Sequence, residues 1–336
     1  MKNSEVSYMS GVKITGFGAG LPTLAVTNAD LEKVIDTSDE WITTRTGIRE
    51  RRLAVDETLT DLCEAAARRA MDNAGVAAED LDLIIVATLT ADMPLPNASS
   101  MLQARLHAVN ATCFDISAAC TGFIYALNTA QLYIRGGAAK TALVVGGEVL
   151  SKLLDWTDRK TCVLFGDGAG AAIVTSSDEE GILGITTGSD GTKGMVLNFT
   201  ERIPNHPFLK NVQSAEDFEK SRHLYMAGPE IFKFALTKVP KSILEVLQKT
   251  GYAADDIDYY VLHQANFRIL SSVAKRLGVN EKKFYVNLDR CGNTSAASIP
   301  MALSEMSERG LLKTGMKLVI AGFGGGLTWG AALIKL

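Results

Sequence analysis

An α/β fold made of two copies of one unit is predicted by three observations. Short buried-strand runs alternate with helical segments along all 336 residues. Four stretches of the second half resemble four stretches of the first, in the same order. The most polar stretch between buried strands, SSDEE at 176–180, falls at the seam between the copies. The halves are therefore set at 1–178 and 179–336.

Each element has its own signal. VKITGFGAGLP (12–22), LDLIIVATL (81–89), TALVVGGEV (141–149) and GAAIVTS (170–176) are apolar runs of strand length. TLTDLCEAAARRAMDNAG (58–75) has helical spacing, with Thr60 as the expected N-cap and Gly75 just past the end. CTGFIYALNTAQLYIRGG (120–137) is apolar nearly all round, which predicts a helix buried on every side. In the second copy, 255–264 echoes 79–88, 316–324 echoes 140–148, and 326–334 echoes 166–174. GILGITTGS (181–189) answers the first strand, and 190–222 is read as a polar surface excursion.

Composition narrows the function classes. With 47% apolar and 21% charged residues, and 30 Gly against 8 Pro, the chain is neither disordered nor collagen-like. Its 34 basic and 38 acidic residues give a net charge of −4, the wrong sign for a nucleic-acid footprint. Five cysteines without a CxxC pair fit a reduced, cytoplasmic protein. MKNSEVSYMSG lacks the apolar core of a signal peptide, and no apolar run is long enough for a membrane span.

Three residues stand at turns suited to chemistry. Cys120, in FDISAACTGF, lies where a strand passes into the buried helix; the helix N-terminus should lower its thiol pKa, and small neighbours leave room for a carbonyl. A small core residue is the competing reading. His263, in YYVLHQANFRI, ends an apolar strand, whereas His107, His206 and His223 sit in polar surroundings. It is either a site residue or a hydrogen-bonded core histidine. Asn293, in CGNTSAASIP, either caps a helix or aims its amide into a site. The repeat favours a site, because AAC (118–120) and GNTS (292–295) occupy equivalent turns that a pseudo-twofold would bring together. GFGAG (16–20) and GDGAGA (166–171) lack dinucleotide-loop spacing and are read as close backbone packing. GFGGGLTWG (322–330) offers backbone N–H groups to an oxyanion.

Together these segments resemble the β-ketoacyl-acyl-carrier-protein synthase III family of the thiolase superfamily. The resemblance rests on DEWITTRTGIRERR (39–52), FDISAACTGF (114–123), DRKTCVLFGDGAGA (158–171), HQANFRI (263–269), GNTSAASIP (292–300) and FGGGLTWG (323–330), in family order. It implies a thiolase-like fold of five layers, α-β-α-β-α, with two mixed sheets around buried helices. It implies an acyltransferase that starts fatty-acid synthesis and uses no cofactor. An acyl group, acetyl or another short primer, passes from acyl-CoA to Cys120. Condensation with malonyl-acyl carrier protein then releases carbon dioxide.

By the same resemblance, His263 and Asn293 complete the catalytic set. Cys120 and Gly325 supply oxyanion-hole N–H groups, and Trp41, Arg45 and Arg159 hold the nucleotide end of CoA. Gln264, Ala265, Asn266, Phe267 and Arg268, with Lys233 and Lys275, meet acyl carrier protein. Phe267, Leu270, Val273, Ala274 and Leu277 are expected on the apolar face of the helix that follows His263. Leu95 stands at the acyl pocket where many members carry Phe, supplied across a homodimer. The triad separates this family from two-His ketosynthases and from thiolases with a second catalytic Cys. A non-catalytic CoA-binding relative and a starter enzyme of a specialised polyketide pathway are the other readings; the intact Cys, His and Asn oppose the first.

Incubation with acyl-CoA should add one acyl group by intact mass, mapped to Cys120, and Cys120→Ser should keep its fold and gain none. Acylation at another cysteine in that variant would refute the assignment.

Overall fold

The computed structural model describes residues 11–200 and 222–336. His206 and most of the predicted surface excursion lie outside the described residues. The first half carries β1 (Gly11–Gly20), a ribbon of β2 (Leu24–Thr27) and β3 (Glu50–Leu53), then β4 (Leu83–Ala87), β5 (Thr112–Ile116), β6 (Thr141–Glu148) and β7 (Gly168–Ser177). The second carries β8 (Ile182–Ser189), a ribbon of β9 (Leu197–Asn198) and β10 (Tyr225–Met226), then β11 (Tyr259–Leu262), β12 (Lys317–Gly324) and β13 (Thr328–Lys335). The helices that shape the site are α1 (Asp39–Thr46), α2 (Leu59–Ala74), α3 (Ala98–Leu106), α4 (Gly122–Arg135), α5 (Gly228–Thr250), α6 (Phe267–Leu277) and α7 (Ser298–Glu308).

Both large sheets are mixed, in the order β1-β7-β6-β4-β5 and β8-β13-β12-β11. In the second sheet Phe284 bridges Tyr260 in parallel, at the place β5 takes beside β4. Gly75 and Gly251, Asp80 and Asp256, Leu83 and Tyr259, and Thr141 and Lys317 are separated by the same number of residues. They occupy matching element boundaries, and the two glycines are matching left-handed helix caps.

Strand alternation generates the layers. Ile84, Val86, Leu143 and Val145 face outward onto α2 and α3, while Leu83, Ile85 and Val144 face inward onto α4. From the second sheet, Val261, Leu318 and Ile320 meet the same inner cluster, which also contains Ile299 and Leu303 of α7. Val319, Ala321 and Leu333 point outward onto α5 and α6. The result is the expected five-layered α-β-α-β-α arrangement, with α4 and α7 enclosed between the sheets. The first turns of α4 are buried as expected, but the helix is not buried on every side: Leu132 and Tyr133, near its C-terminal end, reach solvent.

One cap differs from expectation. Thr58 caps α2 through a capping box with Asp61, so the chain enters the helix two residues earlier than the sequence pattern implied. The Thr60 hydroxyl instead donates to Asp92 at 2.6 Å. Among the described residues no helix is long and apolar enough to cross a membrane.

The two halves meet through glycines at equivalent positions of β6 and β12. A Cβ on Gly146 would overlap the Ala296 carbonyl, and a Cβ on Gly322 would stand 3.4 Å from the Cys120 carbonyl oxygen. The turn of each half therefore lies over the central strands of the other. Gly146→Val should destabilise the protein by about 1–3 kcal/mol through overpacking against backbone, read as a lower denaturation midpoint. An unchanged midpoint would show that the turn can retreat.

Candidate active site

Cys120 occupies a tight 3-10 turn, Ala119–Thr121, between β5 and α4. Ala119 adopts φ 47° and its counterpart Ser295, before α7, adopts φ 49°. Left-handed conformations are strained for residues with a Cβ and persist only where surrounding contacts impose them. Here they turn Cys120 to the start of α4. Gly324 sits against the Cys120 N–H, where a Cβ would approach to 2.7 Å. Thr328 secures the glycine loop: its hydroxyl donates to the Gly325 carbonyl at 3.0 Å and accepts from the Thr121 hydroxyl 3.0 Å away.

The electrostatics of Cys120 differ from expectation. Burial pushes its thiol up to about 12; the nearby Glu148 carboxylate acts in the same direction and a hydrogen bond with the Ser295 hydroxyl opposes them. The helix N-terminus therefore does not by itself make a resting thiolate. Burial thus favours the neutral thiol of Cys120 over its thiolate.

His263 follows β11, its N–H bonded to the Ala321 carbonyl at 2.8 Å. It is 2% exposed, and the Phe323 ring meets its imidazole edge-on at 5.4 Å. Burial pulls the ring down to about 3, which keeps it neutral near pH 7. Nδ1 lies 2.7 Å from the Ser298 Oγ, itself 2.9 Å from the Ser295 carbonyl. The single Ser298 hydrogen thus sets the tautomer. Donated to Ser295, it leaves Nδ1 protonated and Nε2 an acceptor; donated to Nδ1, it makes Nε2–H a donor.

Asn293 is held by its backbone between Leu164 and Gly166. The Ser295 N–H donates to its Oδ1 at 2.9 Å, so the amide NH₂ is left to face the cavity. Beside it, Glu148 is fully buried at the end of β6. Its carboxylate accepts from the Thr90 hydroxyl at 2.6 Å, the Leu89 N–H at 3.1 Å, the Ser295 hydroxyl at 3.2 Å and the Thr88 hydroxyl at 3.3 Å. Burial pushes it up to about 7 against those donors. Sequence reading passed over Glu148, Ser295 and Ser298. The one available signal was a charged residue ending the apolar run TALVVGGE.

Two cavities meet at Cys120. One, of about 280 Å³, is walled by Leu89, Leu150, Phe199 and Leu224 and includes Ser295 and Gly325. The other, of about 690 Å³, brings Cys120 together with His263 and Asn293 and runs to Arg45 and Arg268. The Arg45 and Arg159 guanidiniums lie 4.7 and 5.2 Å from the Trp41 ring centre, both within cation–π range. Ala265 and Asn266 line the second cavity; Asn266 caps α6 and donates to the Arg45 carbonyl at 3.1 Å. Arg268 ties α6 to α1 by donating to the Thr44 carbonyl at 3.0 Å. Lys233 and Lys275 are exposed on α5 and α6.

Two expected positions need correction. Gln264 is 1% exposed, its amide spent on the Leu262 and Tyr285 carbonyls and on the Asn287 N–H; it braces the site and offers nothing to a docking protein. Phe267 is 44% exposed and leaves the apolar face of α6 to Ile269, Leu270, Val273 and Ala274. Leu95, expected to act across a homodimer, is 86% exposed and lines neither cavity of its own chain. Of the other described histidines, His107 is exposed as expected and His223 is half-buried. Among the described residues no side-chain cluster is suited to a metal ion.

The depressed His263 pKa has a measurable consequence. An unfolded imidazole titrates near its ordinary 6.5, so the neutral buried ring contributes its stability fully above about pH 6.5 and loses it as pH falls toward 3. Nitrogen NMR should find His263 neutral at pH 5, and a His263→Gln variant should show a shallower loss of stability between pH 6.5 and 4. An imidazolium at pH 5 would refute this.

The family model for 3-oxoacyl-[acyl-carrier-protein] synthase III matches residues 114–191, and that for the C-terminal part of the same enzymes matches 247–336. The chain is 50% identical to β-ketoacyl-[acyl-carrier-protein] synthase III of Clostridium acetobutylicum, over 97% of this chain and 99% of that protein. It is 48% identical to the corresponding protein of Clostridium tetani, over 100% and 99%. The crystal structure of 3-oxoacyl-[acyl-carrier-protein] synthase III from Aquifex aeolicus superposes with a TM-score of 0.90 at 44% identity, over 97% of this chain and 100% of that one. The chain thus belongs to the β-ketoacyl-acyl-carrier-protein synthase III family, the thiolase-fold condensing enzymes that initiate fatty-acid synthesis.

Proposed function

We propose that Cys120 takes an acyl group from acyl-CoA and that the acyl-enzyme condenses with malonyl-acyl carrier protein. The observation that carries this reading is the meeting of two cavities at one thiol, with His263 and Asn293 on only one of them. The smaller, apolar cavity suits the acyl chain, which stays on Cys120 through both steps. The larger one suits the pantetheine arm that delivers first CoA and then acyl carrier protein. Trp41, Arg45 and Arg159 hold the nucleotide of CoA, a cation–π cluster against a polyanion. Ala265, Asn266, Phe267 and Arg268, with Lys233 and Lys275, form the docking rim for acyl carrier protein.

The chemistry divides between the two sides. Thioester exchange needs a thiolate attack and an oxyanion hole, here the Cys120 and Gly325 N–H groups. Decarboxylation then generates an enolate, whose oxygen takes hydrogen bonds from the Asn293 amide and from His263 Nε2–H. That role requires Ser298 to turn its hydrogen toward Nδ1. A neutral imidazole and an amide add no negative charge to repel malonate.

His263→Ala and Asn293→Ala should each still acylate with acyl-CoA, while release of carbon dioxide from malonyl-acyl carrier protein falls by about 10²–10³-fold. Loss of acylation with decarboxylation retained would reverse the assignment.

A homodimer and a cytoplasmic setting belong to the same reading. The exposed Leu95, beside half-exposed Met93, supports a cover by a second copy, which would bring Leu95 to the partner's acyl cavity. Five free cysteines support a reducing compartment. Sedimentation at micromolar concentration should give a dimer; a fully active monomer would defeat the idea.

A further inference from the structure

We propose that Ser295, anchored by Glu148 of the other half, is the positioning residue that sets the Asn293 amide and the His263 imidazole together. The inference rests on the reading that these two groups donate to the enolate. Three bonds of Ser295 carry it. Its N–H donates to the Asn293 Oδ1 at 2.9 Å, which leaves the Asn293 NH₂ for the cavity. Its carbonyl accepts the Ser298 N–H and so closes the 3-10 turn Ser295–Ala297. That turn sets the Ser298 Oγ 2.7 Å from the His263 Nδ1. Its hydroxyl donates to the Glu148 Oε1 at 3.2 Å. Two paths thus leave one residue, one ending on the amide and the other on the imidazole, and a third ties that residue down.

The conformation of Ser295 shows why a tie is needed. Its φ of 49° is left-handed, a region that favours glycine and that residues with a Cβ keep only where contacts impose it. Glycine would make the turn, yet this position carries a buried hydroxyl aimed at a carboxylate. Glu148 is fixed on its other sides by the Thr90 hydroxyl at 2.6 Å, the Leu89 N–H at 3.1 Å and the Thr88 hydroxyl at 3.3 Å. The threonines are held in turn. The Thr88 Oγ1 accepts the Thr90 N–H at 3.0 Å, and the Thr90 Oγ1 accepts the Val149 N–H at 2.8 Å. The carboxylate is therefore a fixed post at the end of β6, and it does not follow Ser295 if the turn shifts.

The equivalent turn of the first half provides the contrast. The common offset between the halves pairs Ser295 with Ala119 and Glu148 with Gly324. Ala119 is equally left-handed, at φ 47°, but it has no hydroxyl, and Gly324 has no side chain to receive one. Close packing of the glycine loop replaces the tie there, since a Cβ on Gly324 would stand 2.7 Å from the Cys120 nitrogen. Both members of the tie are thus present in the turn that serves the donors and absent from the turn that carries the thiol. Making the fold alone would call for the same device in both. A turn that must aim two separate donors at one oxygen has the stricter task, because a misplacement of about 1 Å costs about 10²-fold in rate.

The test measures the half-reactions separately: single-turnover acylation by acyl-CoA, followed by intact mass, and release of carbon dioxide from malonyl-acyl carrier protein. Ser295→Ala keeps the N–H, the carbonyl and the other three donors to Glu148, and removes only the tie. It should release carbon dioxide about 10–10²-fold more slowly, through kcat with KM for malonyl-acyl carrier protein unchanged, while acylation stays within a few-fold of wild type. Nitrogen NMR should show the His263 Nδ1 signal moved in this variant, although His263 and Ser298 are untouched. Glu148→Gln still offers an oxygen to the Ser295 hydroxyl and should retain most of the wild-type rate. Glu148→Ala offers none and should fall as Ser295→Ala does; if it folds poorly, the other two variants decide. Wild-type carbon dioxide release in Ser295→Ala, equal losses in the two half-reactions, an unmoved His263 signal, or a Glu148→Gln as slow as Ser295→Ala would each overturn the proposal. Carbon dioxide release retained in both Asn293→Ala and His263→Ala would instead overturn the reading on which it rests.

Discussion

Mutual burial of two backbone turns governs the rest of this molecule. The turn before α4 lies over Gly322 of β12, and the turn before α7 lies over Gly146 of β6. Each half thus uses the other's central strand as a floor. At Gly146 glycine is required because the Ala296 backbone occupies the space above it, whereas at Gly322 the Cys120 carbonyl stands at ordinary contact distance. The left-handed Ala119 and Ser295 are the conformational cost of that approach. A thiol from one half reaches the cavity containing an imidazole and an amide from the other only because these turns touch.

The duplication supplies equivalent niches, and the side chains then break the symmetry. By the common offset, Cys120 answers to Ala296, Asn293 to Ser117, His263 to Ala87 and Glu148 to Gly324. The thiol and the buried acid stand in the first copy, and the imidazole and amide in the second. Gly324 cannot carry an acid, since it lies against the Cys120 N–H. The asymmetry suits a two-step reaction in which one group is acylated and a separate set stabilises an enolate.

Electrostatic control here comes from burial more than from charge pairing. Cys120 is pushed up, His263 is pulled down, and Glu148 is brought near neutrality, in each case chiefly by loss of water. Cations stay at the outer end of the larger cavity, where Arg45 and Arg268 meet solvent. A polyanionic carrier can therefore be met at the rim while the reacting centre contains no fixed positive charge. The Ser298 hydroxyl stands between the His263 ring and the Ser295 carbonyl and is able to donate to either.

Much of this was legible in the sequence. Strand runs, helical spacing and the fourfold echo between halves specify a duplicated α/β fold, because hydrophobic period and order survive without tertiary knowledge. Cys120, His263 and Asn293 were visible as reactive or polar residues at ends of apolar segments. Other features depended on neighbours distant in the chain. Gln264 looks like its docking-strip neighbours but turns inward to the Leu262 and Tyr285 carbonyls. Glu148 looks like an ordinary strand end until burial and four converging donors make it a titrating group. The helix N-terminus led to the expectation of a lowered thiol pKa, whereas burial in the packed structure pushes it up. Local pattern determines which elements form; the free energy of a proton depends on the water that folding removes, and that is set by contacts between halves far apart in sequence.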